Sequence, residues 1–310
     1  MIMHRNDQTL AIRALKSAAP YIRMYKGKTF VVKAGGGVFA DATATRVLVE
    51  QIAILHYFGV RVVLVHGGGP QLTELSAALG VPTRMVEGRR VTDQQAIDVT
   101  SMVLNGLINT RVLGICRDLN IEAVGISGVD AGLVRAHRRA PMKTGGGEIV
   151  DFGFVGDIDQ VDTSVLKKLL DNGLMPVVSP LSADEAGTLL NINADTVAAA
   201  LGAALGAEKL ILCTGAPGIL GDISDPGSLI SYTDLSGLRR LREEGRIAAG
   251  MLPKAKAIED AIRGGVRRVH VVSYQSPEGI LGEVFTNEGT GTMIVADVNA
   301  LSAAEQQSHS

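Results

Sequence analysis

The sequence is poor in residue types that mark several large classes of protein. It has no tryptophan, and aromatic residues make up only 4% of its 310 residues, which argues against binding nucleic acid by stacking bases on aromatic rings. Its formal net charge of −2 gives no strong field to attract nucleic acid or a membrane surface. A hydrophobic content of 46% argues against disorder. We therefore expect a folded protein with neither nucleic acid nor membrane as partner.

Cysteines and membrane-type segments are also scarce. The two cysteines, Cys116 and Cys213, lie in apolar stretches, and we expect buried, reduced thiols. The six histidines show no spacing typical of metal ligands. No uninterrupted apolar run reaches the ~18 residues of a membrane span, and residues 1–5 do not resemble the start of a signal peptide. These observations predict a cytoplasmic protein without a protein-bound metal.

Glycine, in contrast, is abundant, with 37 of 310 residues against an average of ~7%. Residues 35–37 and 67–69 are glycine clusters that directly follow predicted buried strands over 29–33 and 60–65. Open α/β sheets bind ligands at the carboxyl ends of their strands, where glycine lets backbone N–H groups approach an anion. The two clusters therefore predict a phosphate site, although close packing of strand and helix is the ordinary alternative.

Strand and helix patterns alternate along most of the chain, which predicts an α/β fold with a mainly parallel open sheet covered on both faces. The predicted helices cover residues 7–24 (bent or interrupted at Pro20), 43–57, 71–79, 93–119, 163–172, 194–205, 235–244 and 253–264. The other predicted strands cover residues 122–126, 133–138, 174–180, 209–214 and 267–273. Alternation over 148–157 predicts a hairpin, preceded by a mobile loop at glycines 145–147.

Charged side chains near the glycine clusters are candidate ligand contacts. Lys33 ends the first strand and adds a positive charge that suits a phosphate. Arg89 and Arg90 precede a predicted helix, and arginine binds carboxylates through paired hydrogen bonds. The ordinary alternatives are an exposed lysine beside a tight turn and a solvated pair of arginines.

Two further segments open predicted helices. Asn191, Asn193 and Asp195 cluster at the start of one helix, and because capping needs fewer polar side chains, at least one should face a ligand. Lys254 follows Pro253 in the first turn of another helix, where the helix dipole disfavours a cation. This placement indicates that Lys254 is held there for an anion.

Two common nucleotide-binding motifs are missing. Residues 27–29 have the Gly-Lys-Thr ending of a Walker A loop, but Ile22 stands where its first glycine belongs, and the segment precedes its strand. No G-x-G-x-x-G motif opens a helix with an acidic residue ~20 positions later, which disfavours a dehydrogenase.

The motifs KxGG, HGGGPQ, GxRVTD, NINAD, GMLPK and GTGTMI occur in this order. Together they resemble the amino-acid kinase superfamily, most closely its N-acetyl-L-glutamate kinase family, over about residues 9–295. The resemblance implies a three-layer α/β sandwich. It also implies an N-terminal oligomerisation helix (1–26), an acetylamino-acid lobe (27–180), an ATP lobe (181–299) and a frayed tail (300–310).

The reaction implied by the resemblance is transfer of the γ-phosphoryl group of ATP, with Mg²⁺, to the side-chain carboxylate of N-acetyl-L-glutamate in arginine biosynthesis. Lys33 and Lys254 would stabilise the transferring group, and Asp195 would orient both lysines. Gly67, Gly68, Arg90 and Asn191 would bind substrate, with Arg90 on its α-carboxylate. The implied phosphate and nucleotide contacts are Gly35, Gly36, Gly68 (its backbone N–H), Thr214, Gly215 and Gly218.

Regulation and assembly are also implied by the resemblance. The segment 148–157 resembles a flexible lid over the substrate, with glycines 145–147 as its hinge. The helix 7–24 resembles one that joins dimers into a hexameric ring in arginine-inhibited members, and Glu283 and Gly289 resemble part of an inhibitor-contacting stretch. These features predict a homo-oligomer (dimer or hexamer) inhibited by L-arginine, although the helix could also pack only on its own subunit.

The sequence departs from the family pattern at two places. Gly37-Val38-Phe39 stand where the family usually has a small polar residue followed by Ala-Met, and Gly215 stands where it commonly has aspartate near the nucleotide. Two alternatives therefore stay open. One is a non-catalytic or weakly catalytic arginine-sensing homologue, and the other is a kinase of a related acid such as acetylaminoadipate or aspartate, because one methylene changes binding by only ~1–3 kcal/mol.

Overall fold

An eight-stranded sheet forms the centre of the computed structural model, which describes residues 5–222, 224–225, 227–247 and 249–300. The strands are β1 Thr29–Ala34, β2 Arg61–His66, β3 Arg84–Val86, β4 Arg89–Val91, β5 Ala123–Ser127, β6 Val134–Arg138, β7 Met142–Lys143, β8 Ile149–Val150, β9 Gly156–Val161, β10 Met175–Ser179, β11 Leu181–Ala183, β12 Leu189–Asn191, β13 Lys209–Thr214, β14 Tyr232–Asp234, β15 Arg268–Ser273 and β16 Thr292–Val295. The α-helices are α1 Arg5–Tyr25, α2 Ala42–Tyr57, α3 Gly69–Ala78, α4 Gln94–Ser101, α5 Asn109–Asp118, α6 Ser164–Asp171, α7 Ala194–Leu205, α8 Leu235–Glu243, α9 Leu252–Arg263 and α10 Gly279–Phe285.

The strand order of the main sheet is β14-β16-β15-β13-β1-β2-β10-β5. Its pairs are parallel except for the antiparallel pair β15–β16, so the predicted mainly parallel open sheet is confirmed. β1 lies between β2 and β13, with Lys33 opposite Val65 and Leu212. The glycines after β1 therefore emerge near the middle of the carboxyl edge of the sheet.

Two hydrophobic cores lie on opposite faces of this sheet and give the three layers implied by the resemblance. Successive residues of a strand point to opposite faces, and accordingly Phe30 and Val32 belong to one core and Val31 to the other. The first core includes residues of α2, α5 and α10, and the second includes residues of α6, α7, α8 and α9.

Each predicted helix and main strand is present, with bounds within two residues of the prediction. One detail of the prediction differs: α1 continues through Pro20 without interruption. Proline at position 20 leaves the carbonyl group of Lys16, four residues earlier, without its helical donor, and because Lys16 is exposed, water can satisfy this carbonyl group. The predicted 300–310 tail lies outside the described residues beyond Ala300, and the boundary between lobes at residue 180 stays a prediction.

The helix predicted over 93–119 comprises α4, a π-helical segment Met102–Ile108 and α5. By length and composition alone, Gln94–Asp118 is apolar enough to span a membrane. Val103, Leu104 and Val112 are, however, almost completely buried in the core against the sheet. The apolar composition of this helix is therefore explained by its packing inside the protein.

The hairpin predicted over 148–157 is wrong. β8 pairs with β7, and glycines 145–147 form the turn between them, while their predicted role as a hinge stays a prediction. The chain then runs extended past Thr92 and Asn191 before β9 pairs with β6. The alternating pattern is real, but its residues pair with four different partners, namely β7, Thr92, Asn191 and β6, which a periodicity of two cannot reveal.

Candidate active site

Three charged residues from distant parts of the chain meet at the carboxyl edge of the sheet. Nζ of Lys33, on β1, lies 2.8 Å from Oδ1 of Asp195. Nζ of Lys254, in the first turn of α9, lies 2.9 Å from the same oxygen. Each of the three residues is at most 8% exposed. The structure therefore brings together the three residues that the sequence predicts to be catalytic.

The electrostatics of this cluster follow from burial and mutual pairing. Burial alone would raise the pKa of Asp195, but the ammonium groups of Lys33 and Lys254 outweigh it and lower this pKa below its ordinary value. Burial, and then repulsion from Lys33, lower the pKa of Lys254. The cluster carries two positive charges against one negative charge when all three groups are ionised, which suits it to bind a further anion.

The two predicted glycine loops lie against each other beside this cluster. A Cβ on Gly36 would lie 2.8 Å from the amide nitrogen of Gly69, so only glycine fits there. The N–H groups of Gly36 and Gly68 donate to no other described residue. The N–H group of Gly35 points to the carbonyl of Cys213 at a long 3.4 Å. Gly36 and Gly68 thus have N–H donors available for an anion, and their predicted contact with phosphate stays a prediction.

A buried polar network supports the second glycine loop from below. Nε2 of His66 lies 3.3 Å from the side-chain nitrogen of Asn109, which also donates to the carbonyl of Val177. A Cβ on Gly125 would lie 1.9 Å from Oδ1 of Asn109, so the network requires glycine there. Burial lowers the pKa of His66 to about 4. His66 is therefore neutral at pH 7, so its role is to stabilise the loop through hydrogen bonds and not to supply a positive charge.

Arg90, on β4, lies beside the second glycine loop. Its guanidinium group donates to the hydroxyls of Thr73 and Thr83 and to the carbonyl of Gly69. It pairs with no carboxylate in the part of the chain that the structure describes. Burial lowers the pKa of Arg90 from its high ordinary value, but arginine stays charged at pH 7. The unpaired charge is available for a carboxylate ligand.

The two asparagines before α7 make different contacts. Asn193 caps the helix, because its Oδ1 accepts from the backbone of Asp195 and Thr196. The side chain of Asn191 lies at a long 3.4 Å from Oγ1 of Thr92. Asn191 does not cap α7, and the prediction that one of these side chains faces a ligand stays a prediction.

The predicted nucleotide-binding residues lie at the end of β13, on the other side of the lysines. The hydroxyl of Thr214 bonds to both backbone groups of Ala216 and so stabilises its own turn. Gly218 is required by packing, since a Cβ there would lie 2.6 Å from Leu229 and from Thr292. An adjacent cavity of about 140 Å³ is mostly apolar and is lined by residues that include Ile219, Leu238, Met251 and Ile258.

Tyr274, directly after β15, is a site residue that the sequence does not single out. Its N–H group donates to the carbonyl of Thr214. Its hydroxyl lies so close to two loop glycines that a Cβ on Gly37 would be 2.6 Å away and one on Gly215 3.4 Å away. A single tyrosine has no characteristic spacing that sequence analysis could recognise. The only sequence signal near Tyr274 is that glycine stands at positions 37 and 215, where the family usually has other residues.

Two small hairpins, β3–β4 and β7–β8, contact each other. A backbone N–H at the tip of the second hairpin, from Gly145, donates to Glu87 of the first. Arg84 and Glu148 form an exposed ion pair across the same gap. The lid predicted over the substrate at residues 148–157 stays a prediction.

Glu283, on α10, belongs to a second buried charged cluster that does not include Lys33, Asp195 or Lys254. Its carboxylate accepts from the backbone of Thr290 and Gly291 and pairs with His270, which lies 2.9 Å from Nζ of Lys209. Burial would raise the pKa of Glu283, but these hydrogen bonds lower it to about 2. Gly289 has φ +64°, and a Cβ there would lie 2.9 Å from this carboxylate. Glu283 and Gly289 are thus adjacent, and their predicted contact with arginine stays a prediction.

Comparison with known proteins gives matches over most of the chain. A sequence model of the amino acid kinase family matches residues 28–273. The chain is 48% identical over 289 residues to the acetylglutamate kinase of Myxococcus xanthus strain DK1622, covering 92% of this chain and 94% of that protein. It is 42% identical over 281 residues to the acetylglutamate kinase of Symbiobacterium thermophilum, covering 91% and 96%.

Among solved structures, N-acetylglutamate synthase from Neisseria gonorrhoeae is similar in fold. Its complex with coenzyme A and N-acetyl-glutamate superposes with a TM-score of 0.80 at 26% identity, covering 96% of this chain and 67% of that one. Its complex with coenzyme A and L-arginine gives a TM-score of 0.79 at 26% identity, covering 92% and 65%. This chain thus spans about two thirds of the length of that synthase.

Proposed function

Since this chain belongs to the amino acid kinase family and, within it, to the acetylglutamate kinases, we propose that it phosphorylates N-acetyl-L-glutamate. The γ-phosphoryl group of ATP is transferred to the side-chain carboxylate of this substrate, giving N-acetyl-L-glutamyl 5-phosphate for arginine biosynthesis. The observation that carries the proposal is the convergence of Lys33, Lys254 and Asp195 between an arginine without a carboxylate partner and an apolar cavity.

Phosphoryl transfer to a carboxylate requires the protein mainly to position the reactants and to neutralise charge. A carboxylate is already ionised at pH 7 and attacks phosphorus without a general base, so catalysis reduces to in-line alignment and charge neutralisation. Lys33 and Lys254 neutralise charge on the transferring phosphoryl group. The N–H groups of Gly36 and Gly68 bind its oxygens. Asp195 holds the two ammonium groups side by side before the nucleotide arrives.

The two substrates approach this cluster from opposite sides. Arg90 binds the α-carboxylate of acetylglutamate through paired hydrogen bonds, and Asn191 binds its acetamido group, with Gly67 and Gly68 beneath. On the other side, the adenine ring enters the apolar cavity between β13 and α9, beside Gly215 and Gly218. The phosphates then lie across Gly35 and Gly36, between the adenine ring and the second substrate.

Mg²⁺ is proposed to arrive with ATP, bound to its phosphates. Mg²⁺ usually keeps several waters and uses one or two carboxylates plus substrate phosphates. No group of three or more potential metal-ligating side chains is present in the described residues. Oδ1 of Asp195 already accepts from two lysines. The residues fit a metal held mainly by the nucleotide, whose chemical contribution is to neutralise phosphate charge.

The proposal is tested by measuring ADP release with purified protein, ATP and Mg²⁺ on a panel of acids. N-acetylglutamate should be the preferred substrate over acetylaminoadipate, acetylaspartate and aspartate in kcat/KM. Formation of the acyl phosphate is checked by trapping it with hydroxylamine. Preference for another acid would reassign the substrate, and absence of ADP release with every acid would favour a non-catalytic arginine sensor.

We also propose that L-arginine inhibits this enzyme, that it forms homo-oligomers (dimers or hexamers) and that it is cytoplasmic. The arginine proposal draws support from the similarity to a synthase solved with L-arginine and from the adjacency of Glu283 and Gly289. The oligomer proposal draws support from the apolar side chains that α1 leaves exposed, Leu10, Ile12 and Leu15. Inhibition is tested by titrating L-arginine into the ADP-release assay.

A further inference from the structure

The glycines at 37 and 215 are not required by the backbone. Gly37 has φ −60° and ψ −38°, which any residue adopts. Gly215 does not have a positive φ either. Both positions lie next to the hydroxyl of Tyr274. A Cβ on Gly37 would lie 2.6 Å from this oxygen, and a Cβ on Gly215 would lie 3.4 Å from it. The two glycines therefore leave space for this phenol.

The phenol lies where three parallel strands end together. β1, β13 and β15 are neighbours, and Thr214 is paired with Ser273 in register. Tyr274 is the next residue, and its N–H group is fixed by the carbonyl of Thr214. The ring is partly buried against the core, whereas its hydroxyl forms no hydrogen bond with any described residue. An ordered donor is thus held at this edge without a partner.

The neighbouring groups show which part of a ligand the hydroxyl can meet. Gly37 ends the glycine loop that carries the free N–H group of Gly36 beside Lys33. Gly215 starts the turn whose later residues line the apolar cavity. The hydroxyl between them lies on the path from the cavity to the lysines, which a phosphate chain must follow. The hydroxyl of Thr214 already bonds to both backbone groups of Ala216 within its own turn.

We propose that the hydroxyl of Tyr274 donates a hydrogen bond to the phosphate chain of the bound nucleotide and thereby sets nucleotide affinity. This rests on the proposed function, because it takes the nucleotide to be bound at this edge. Phosphate oxygens are strong acceptors, and a neutral phenol adds a directional donor without adding charge to the lysine pair. Tyr274 acts in binding and leaves the phosphoryl-transfer step to the lysines.

The test compares wild type with Tyr274→Phe, which keeps the ring and its packing. Loss of a hydrogen bond to a charged group should raise the Kd and the KM for ATP by about 10- to 100-fold. The KM for acetylglutamate and the thermal stability should stay unchanged, and kcat should stay within about threefold. Tyr57→Phe is the matched control, because Tyr57 donates to the carbonyl of Leu119 away from this edge.

A second variant tests the geometry itself. Gly37→Ala should weaken ATP binding by about tenfold in the wild-type background, because its Cβ displaces the hydroxyl. In the Tyr274→Phe background the same change should cost no more than about twofold, since the nearest remaining ring atom lies 3.4 Å from that Cβ. Such non-additivity is typical of residues that act through one contact.

The outcomes separate this inference from the proposed function. Unchanged ATP affinity in Tyr274→Phe, or a fall in kcat at unchanged affinity, overturns the role of Tyr274 while the kinase assignment stands. Additive effects of Gly37→Ala and Tyr274→Phe would also overturn it. Wild-type protein that binds no ATP by calorimetry would overturn the proposed function and this inference together.

Discussion

Lys254 and Asp195 belong to the first turns of two different helices, α9 and α7, and meet through a hydrogen bond of 2.9 Å. Each side chain is at most 8% exposed, so the pair fixes the two helices relative to each other at the carboxyl edge of the sheet. The same carboxylate oxygen also binds Lys33. A single atom of Asp195 thereby sets the spacing of the two positive charges.

Replacing Lys33 with alanine should abolish most of the catalysis without unfolding the protein. Loss of one donor to a developing negative charge typically costs about 100- to 1000-fold in kcat, and we expect at least this loss in the ADP-release assay. Lys256→Ala is the matched control, because Lys256 pairs with Asp260 on the exposed face of α9. Near-normal turnover of Lys33→Ala would contradict the assigned role.

Replacing Arg90 with lysine should weaken acetylglutamate binding selectively. Lysine keeps the charge but cannot form two parallel hydrogen bonds to a carboxylate, so the KM for acetylglutamate should rise about 10- to 100-fold at constant KM for ATP. Steady-state kinetics with each substrate varied would measure this, and Arg89→Lys on the same strand should behave like wild type. Equal changes in both KM values would point instead to a general distortion of the site.

Gly125→Ala should destabilise the protein through Asn109. The new Cβ would lie 1.9 Å from Oδ1 of Asn109, and displacing a buried side chain in this way costs about 1–3 kcal/mol. Gly114→Ala in α5 is the control, because nothing lies within 4 Å of its Cβ. That helical position should gain about 0.5–1 kcal/mol. Denaturant unfolding compares the two, and similar changes in both variants would refute the role of Asn109.

Stability should fall when the pH decreases from 6.5 to 5. Burial lowers the pKa of His66 and of His270 to about 4, so between pH 4 and 6.5 the unfolded chain binds these protons and the folded chain does not. The free energy of unfolding should therefore decrease as the pH falls, by at most about 3 kcal/mol per pH unit, which is the limiting slope for two protons. His66→Gln should halve the slope. A flat profile would mean that these histidines are not buried as neutral groups.

The exposed apolar residues of α1 should hold an oligomer together. Leu10, Ile12 and Leu15 are 56–69% exposed, more than a helix packed only on its own subunit would leave uncovered. Leu15→Glu should shift sedimentation from hexamer to dimer while keeping ADP-release activity, and Lys16→Glu on the same helix should not. A Leu15→Glu protein that stays hexameric, or a wild type that is already dimeric, would exclude this role.

The charged centre of the site was predictable from sequence because each residue has a fixed position in its element. Lys33 ends a buried strand, and Asp195 and Lys254 open helices. The topology of a parallel sheet brings such positions to one edge. The strand and helix bounds followed from periodicity for the same reason, since long runs with one buried face leave a clear pattern.

The supporting contacts were not predictable, because they join residues that have no spacing in common. Nothing in the sequence links Gly125 to Asn109 or Tyr274 to Gly37, and each pair is defined only once the strands are in register. The segment after Val150 shows the same limit, since it alternates like one hairpin but pairs with several distant segments. Tertiary contacts that decide such cases carry no local signal.

The place of β16 in the strand order has a consequence for synthesis of the chain. β14 is joined to the rest of the sheet only through β16, which is inserted between β14 and β15. β14 therefore cannot pair with the sheet until β16, which ends at Val295, has left the ribosome. The residues of β14 themselves are synthesised some sixty positions earlier. Pairing at this sequence separation is slow, so the β14 edge of the sheet should be the last part to fold. A growing chain then lacks this edge of the sheet until β16 has been synthesised.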